Sequence, residues 1–108
     1  EPEKDFIKRV IGIKGDKISI LEGKVYLNDK QLDESKYLDS SVKTYGGSFL
    51  KEGQSIVVPE EYFFVLGDNR SYSSDSREWG LVPKKNIIGI SKFIYWPASD
   101  AGFIKNPF

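Results

Sequence analysis

The apolar residues of this chain fall into short runs that are separated by turn residues. Most of the runs are rich in β-branched and aromatic side chains, which is typical of β-strands. No segment of ten or more residues repeats its apolar positions every 3.6 residues, so we expect little helix. The runs that predict strands are DFIKRVIGI (5–13), KISIL (17–21), KVYLN (24–28), DKQL (29–32), SIVVP (55–59), EYFFVLG (61–67) and NIIGISKFIYWP (86–97). The pattern therefore predicts an all-β fold of short antiparallel strands.

Turn residues between the runs predict the connections. A KGDK turn (14–17) follows the first run, and Glu22-Gly23 predicts a tight hairpin between the second and third runs. Residues 33–55 lose the strand periodicity, and we interpret them as a variable excursion at the edge of the domain. The chain has no internal repeat and no visible linker, so residues 1–108 are interpreted as part of one domain.

Composition narrows the chemistry that these residues can perform. Sixteen basic residues balance sixteen acidic residues, so no net charge attracts the domain to nucleic acid or to an anionic membrane. The absence of Cys and His excludes a thiol nucleophile, a disulfide framework, a zinc site and a Ser/His/Asp triad within these residues. Acid–base chemistry would fall to Asp, Glu, Lys or Tyr, and we expect no metal and no cofactor.

A dense polar cluster, GDNRSYSSDSREWG (67–80), follows directly after the apolar run YFFVL. Composition alone favours a solvated loop, because Gly, Asp, Asn and Ser are common in loops. A calcium-binding loop of the EF-hand type is excluded, since Arg70 and Tyr72 occupy its third and fifth positions and Ser73 stands where glycine is required.

Lys8 lies between apolar neighbours in the run FIKRVIG. In an extended strand it would share one face with Phe6 and Val10. Such a lysine can be a gatekeeper on an edge strand, with its ammonium directed outward. Alternatively it can be a desolvated general base, because apolar walls can lower a lysine pKa from about 10.4 toward neutrality, a shift that costs roughly 4 kcal/mol.

Two stretches together resemble sequence boxes of type I signal peptidases, the leader peptidases of bacteria. They are DFIKRVIGIKGDKI (5–18) and VPEEYFFVLGDNRSYSSDSREWGLVP (58–83). The family pattern is Lys-Arg-x-x-Gly-x-Pro-Gly-Asp, followed by Gly-Asp-Asn-Arg-x-x-Ser-x-Asp-Ser-Arg. IIGISKFIYWP (87–97) is similar to the family's closing strand. The resemblance implies a signal-peptidase-like catalytic domain whose strands form sheets or a coiled, partly open barrel.

The resemblance also implies a chemistry. Members are membrane-anchored serine endopeptidases that use a Ser/Lys dyad and cut signal peptides after small residues at the first and third positions before the cleavage point. Lys8 matches the general base, and Ser73 matches the hydroxyl that orients this lysine. Asp5, Phe6 and Ile7 match strand residues beside the groove in which the substrate pairs as an added strand.

The resemblance gives the polar cluster a role as support for the lysine base. Asp75 and Arg77 match an ion pair behind the site, and Asp68 and Arg9 are suited to a second pair. A buried lysine can act only if something fixes its rotamer, and that group must itself be held. The residues expected to support the site are Arg9, Gly67, Asp68, Asn69, Arg70, Asp75, Ser76 and Arg77.

The chain departs from the family pattern in two ways. Lys14 stands where the family usually has proline, which weakens the turn but touches no chemistry. The family's nucleophilic serine lies upstream of the lysine, in a Ser-Met segment after the transmembrane anchor, whereas this chain has no Met and its first serine is Ser19. We therefore expect these residues to be the C-terminal part of a catalytic domain, inactive alone, whose parent is anchored in the cell membrane with this domain on the extracytoplasmic side.

Two other functions agree with parts of the pattern. A signal-peptidase-like scaffold that binds secreted subunits without cutting them would be expected to lose Lys8 or Ser73, and both are present. A soluble self-cleaving repressor of the related Ser/Lys type would lack the Gly-Asp-Asn-Arg box. The enzyme is therefore favoured, with the signal peptides of secreted preproteins as substrates and no nucleic acid partner.

Overall fold

The structure is a computed structural model that describes residues 8–71 and 74–85. Within these ranges the regular elements are mostly short antiparallel strands, with a one-turn helix, which confirms the predicted fold class. The elements are β1 (Arg9–Gly12), β2 (Lys17–Leu21), β3 (Lys24–Leu27), β4 (Lys30–Gln31), β5 (Ser55–Val57), β6 (Tyr62–Leu66), α1 (Ser76–Trp79) and β7 (Val82–Pro83). The described strands form two sheets, ordered β1-β6-β7 and β4-β3-β2-β5, and they do not close into a barrel.

Strand β6 is the centre of the first sheet because its sequence is apolar at almost every position. Phe63 and Val65 pack on one side of it together with Val10 of β1. Phe64 and Leu66 pack on the other side, in the larger core cluster. A strand that is covered on both faces has a continuous apolar run instead of an alternating one, and YFFVL is such a run.

Strands β2 and β3 form the hairpin that the Glu22-Gly23 pair predicts. Both turn residues have positive φ angles, 52° at Glu22 and 82° at Gly23, as a two-residue type I′ turn requires. The register pairs Ile20 with Val25 across the hairpin. Both side chains are buried in the same cluster as Phe64, so the hairpin covers one side of the core.

The turn after β1 is hydrogen-bonded at both ends although it has lysine in place of proline. Gly15 has a φ of 87°, and its N–H donates to the carbonyl of Val58 at 2.8 Å. The carboxylate of Asp16 accepts from the N–H of Ile13 at 3.0 Å. The N–H of Asp16 donates back to the carbonyl of Ile13 at 2.9 Å.

Residues 33–55 contain little regular structure, and Leu50 attaches this segment to the core. Leu50 is buried in the larger core cluster among side chains of both sheets. The N–H groups of Phe49 and Leu50 both donate to the carbonyl of Arg77 in α1, at 2.7 and 3.0 Å. A single buried leucine and two backbone bonds create no periodicity in the sequence, so the pattern could not reveal this packing. The predicted closing strand, 86–97, lies outside the described residues.

We expect the two-sided burial of β6 to dominate the stability of the domain. Replacing Phe64 with alanine should lower the free energy of unfolding by about 3–5 kcal/mol, because the ring is fully buried and leaves a cavity. Tyr62→Ala on the same strand is the matched control and should cost under about 1 kcal/mol, since Tyr62 is exposed. Urea unfolding followed by tryptophan fluorescence measures both, and equal losses would contradict this account.

Candidate active site

Lys8 immediately precedes β1 and is buried, with only 3% of its surface exposed. This burial excludes the interpretation of Lys8 as an outward-directed gatekeeper. The antiparallel register places Arg9, the first residue of β1, opposite Leu66, the last residue of β6. Lys8 therefore lies at the same end of the sheet as the polar cluster, which begins at Gly67.

Arg9 connects β1 to that cluster through a two-point ion pair with Asp68. Its Nε donates to Oδ1 at 2.9 Å and its Nη2 donates to Oδ2 at 2.7 Å. The guanidinium also lies over the ring of Tyr37, with its central carbon 3.6 Å from the ring centroid. A planar guanidinium held by a carboxylate and an aromatic face has little freedom to move.

Asp75 closes the polar loop on itself. Its Oδ2 accepts from the N–H of Gly67 at 3.0 Å, so the first residue of the loop is bonded to a residue near its end. Its Oδ1 accepts from the N–H of Arg77 at 3.1 Å, which caps α1. The adjacent Ser76 accepts from the N–H of Val65 in β6 at 2.9 Å, which attaches the start of the helix to the central strand.

Asp75 and Arg77 form a buried two-point ion pair. Nε of Arg77 donates to Oδ1 at 2.9 Å and Nη2 donates to Oδ2 at 2.8 Å, and the side chains of Arg77 and Asp75 are 7% and 0% exposed. Arg77 also donates to the carbonyl oxygens of Arg70, at 3.1 Å, and of Tyr45, at 3.1 Å. One arginine thus fixes the helix, the loop and the segment before Gly46.

Arg70 holds the loop from the other side. Its Nε donates to the carbonyl of Gly67 at 2.7 Å. Its two terminal nitrogens donate to the carboxylate of Glu34 at 3.0 and 2.8 Å, and one of them also donates to Thr44 at 2.9 Å. The Arg70 side chain is fully buried, and that of Glu34 is 13% exposed.

Tyr37 lies between Arg9 and the ion pair of Arg70 with Glu34. Its hydroxyl donates to Oε2 of Glu34 at 2.9 Å. Burial raises the pKa of the Tyr37 phenol, and the negative charge and hydrogen bond of Glu34 raise it further. The phenol therefore stays protonated, and remains a donor, well above the pH at which an ordinary tyrosine ionises.

Glu34, Tyr37, Thr44 and Tyr45 are the contacts that sequence reasoning missed. All four lie in residues 33–55, which show no pattern. The sequence contains one indication of the contact with Glu34. The expected ion pairs use Asp68 for Arg9 and Asp75 for Arg77, and they provide no carboxylate for Arg70. A buried arginine requires an anionic partner, so a partner had to come from elsewhere in the chain.

The other expected site residues are partly described. Gly67 is buried and Asn69 is exposed. Asp5, Phe6, Ile7 and Ser73 lie outside the described residues. Within residues 8–71 and 74–85, no group of three or more acidic, His or Cys side chains could hold a metal ion. No helix in those ranges is long and apolar enough to cross a membrane.

The sequence model of the family described as signal peptidase, peptidase S26, matches residues 1–96. The chain belongs to this family. Three curated members align with more than nine-tenths of the chain. They are a probable signal peptidase I-2 of Synechocystis sp. (37% identical), signal peptidase IB of Staphylococcus aureus (36%) and the probable thylakoidal processing peptidase 2 of Arabidopsis thaliana (44%).

The chain spans only part of the length of these relatives, 42% of the first, 59% of the second and 25% of the third. Among solved structures, a signal peptidase I from Enterococcus faecalis V583 is similar with a TM-score of 0.53 at 34% identity. The similarity covers 72% of this chain and 74% of that one. The signal peptidase I fold is therefore shared.

The buried ion pair of Asp75 and Arg77 should contribute strongly to the stability of the fold. Arg77→Ala leaves the Asp75 carboxylate buried without its counter-charge and should lower the free energy of unfolding by about 3–5 kcal/mol. Lys14→Ala is the control, because Lys14 and Glu60 form an exposed pair at 3.8 Å that should contribute under about 1 kcal/mol. Urea denaturation measures both, and a loss at Arg77 no larger than at Lys14 would contradict the prediction.

Tyr37 should make stability depend on alkaline pH. Above about pH 10 the unfolded chain releases this phenolic proton while the folded chain retains it, so the free energy of unfolding falls as pH rises. Below that pH the contribution is fully present. The stability difference between wild type and Tyr37→Phe should therefore shrink above pH 10, and urea unfolding between pH 8 and about 11 measures it. A difference that stays constant would show that the phenol titrates normally.

Proposed function

We propose that this chain is part of a serine endopeptidase that removes signal peptides from secreted preproteins with a Ser/Lys dyad. The observation that carries the proposal is the burial of Lys8 in a chain that belongs to the signal peptidase family. An amine shielded from water has a lowered pKa and can be neutral at physiological pH, as a general base must be.

In this proposal Lys8 takes the proton from the nucleophilic serine as its oxygen attacks the scissile carbonyl. The resulting ammonium gives that proton to the leaving amine, and the acyl-enzyme is then hydrolysed by water with Lys8 again acting as base. Ser73 is proposed to hydrogen-bond the amine and fix its direction. Asp5, Phe6 and Ile7 are proposed to pair with the substrate as an added strand.

The proposed supporting residues act by holding the loop that contains Ser73. Gly67 is bonded to Asp75 through its N–H and to Arg70 through its carbonyl, so both of its backbone groups are occupied. The ion pair between Arg9 and Asp68 joins the loop to the residue after Lys8. These contacts are consistent with a loop that positions a hydroxyl beside a lysine.

The nucleophile is proposed to come from outside the 108 residues. The family pattern places it in a Ser-Met segment before the lysine, and the chain has no Met. We propose that the chain alone is inactive, and that the full-length protein works at the cell membrane with this domain on the extracytoplasmic side.

Replacing Lys8 with methionine in the full-length protein should abolish cleavage of a signal-peptide substrate, because methionine fills similar space but cannot accept a proton. Ser73→Ala should reduce the rate less, since it loosens the base without removing it. Lys17→Met is the control, because Lys17 forms an exposed pair with Asp29, and it should cleave normally.

The assay is release of mature protein from a preprotein with small residues at the first and third positions before the cleavage point. The 108-residue chain alone should show no turnover. Normal cleavage by Lys8→Met would refute the proposed base. Tight binding of the preprotein without any cleavage by the wild type would favour the non-catalytic scaffold instead.

A further inference from the structure

The turn at residues 33–38 presents two side chains to the polar cluster. The N–H groups of Tyr37 and Leu38 both donate to the carbonyl of Glu34, at 3.1 and 2.9 Å. Asp33 begins the turn, with its carboxylate accepting from both the N–H and the hydroxyl of Ser35 at 3.0 and 2.7 Å. Residues three positions apart in such a turn face the same way, so Glu34 and Tyr37 point together toward the cluster.

These two side chains contact two arginines that belong to different parts of the sequence. Glu34 binds Arg70 of the loop through both carboxylate oxygens. The ring of Tyr37 lies under the guanidinium of Arg9 on β1. The bond from the Tyr37 hydroxyl to Glu34 completes a path from β1, through the turn, to the loop.

We propose that Glu34 and Tyr37 are positioning residues of the peptidase, which hold β1 and residues 67–71 of the loop in register at the end of the sheet where Lys8 lies. This inference rests on the proposed function and extends it to a segment outside both sequence boxes. The turn would act on Lys8 through Arg9. Arg9 follows Lys8 directly and contacts both Asp68 of the loop and Tyr37 of the turn.

The alternative is that the turn only stabilises the fold. The two roles differ in what a Tyr37 variant does to the folded protein. A purely stabilising role lowers the folded fraction and leaves each folded molecule fully active. A positioning role lowers the turnover of molecules that are folded, and it affects kcat more than KM because neither side chain belongs to the proposed substrate groove.

The experiment compares three variants of Tyr37 in the full-length protein. Tyr37→Leu removes both the aromatic face and the hydroxyl, and kcat should fall about tenfold with KM changed less than about twofold. Tyr37→Phe keeps the contact with Arg9 and should lose about threefold. Tyr37→Trp restores an aromatic face for the cation and should regain most of the kcat lost in the leucine variant.

Glu34→Gln tests the other contact, since it keeps the shape of the side chain but removes the charge that faces Arg70. Its kcat should also fall about tenfold. The matched controls are Tyr62→Phe and Glu60→Gln, both at exposed positions and both expected to leave kcat unchanged. Thermal unfolding of every variant establishes that the assay is run with the protein folded, and Tyr37→Phe keeps the test usable if Glu34→Gln fails to fold.

Hydrogen exchange of the same full-length proteins gives a readout that does not need activity. The backbone amides of residues 67–71 should exchange about tenfold faster in Tyr37→Leu than in the wild type or Tyr62→Phe. Unchanged kcat in the folded leucine variant would overturn the inference, as would unchanged exchange in this loop. If the wild type does not cut signal peptides, the proposed function fails, and the exchange result still decides whether the turn holds the loop.

Discussion

The buried carboxylate of Asp75 is the contact on which the rest of the polar cluster depends. A charge removed from water costs several kcal/mol unless hydrogen bonds and a counter-charge replace the lost solvation. Each of its oxygens receives two donors, from the backbone of Gly67 and Arg77 and from the guanidinium of Arg77. Because these donors come from the start of the loop and from the helix, satisfying the carboxylate fixes the path of the chain between them.

Arg77 and Arg70 extend this constraint to other parts of the chain. Arg77 also donates to the carbonyl oxygens of Arg70 and Tyr45, and the buried guanidinium of Arg70 is in turn paired with Glu34. Each buried guanidinium thus requires hydrogen-bond acceptors, and a more distant part of the chain supplies them. The result is a loop that is held from β6, from α1 and from residues 33–45.

Strand β1 has an apolar environment on one face and a charged environment on the other, and the proposed role of Lys8 as a base would use both. Val10 packs with Phe63 and Val65 in an apolar cluster on one face of β1, and Lys8, which immediately precedes the strand, is buried. Arg9 extends to the opposite face, where the carboxylate of Asp68 and the ring of Tyr37 receive it. The burial of Lys8 and the paired charges that hold the loop therefore occur side by side at this end of the sheet.

The sequence by itself determined the features that depend on neighbours in the chain. Strand positions follow from short apolar runs, the hairpin follows from Glu22-Gly23, and the pairing of Asp75 with Arg77 was implied by the resemblance to the family. Only the tertiary structure decided that Glu34 meets Arg70 and that Tyr37 meets Arg9. The physical reason is that a buried charge demands a partner without specifying where in the chain that partner stands. An irregular segment such as 33–55 has no periodicity to show which of its side chains will supply it.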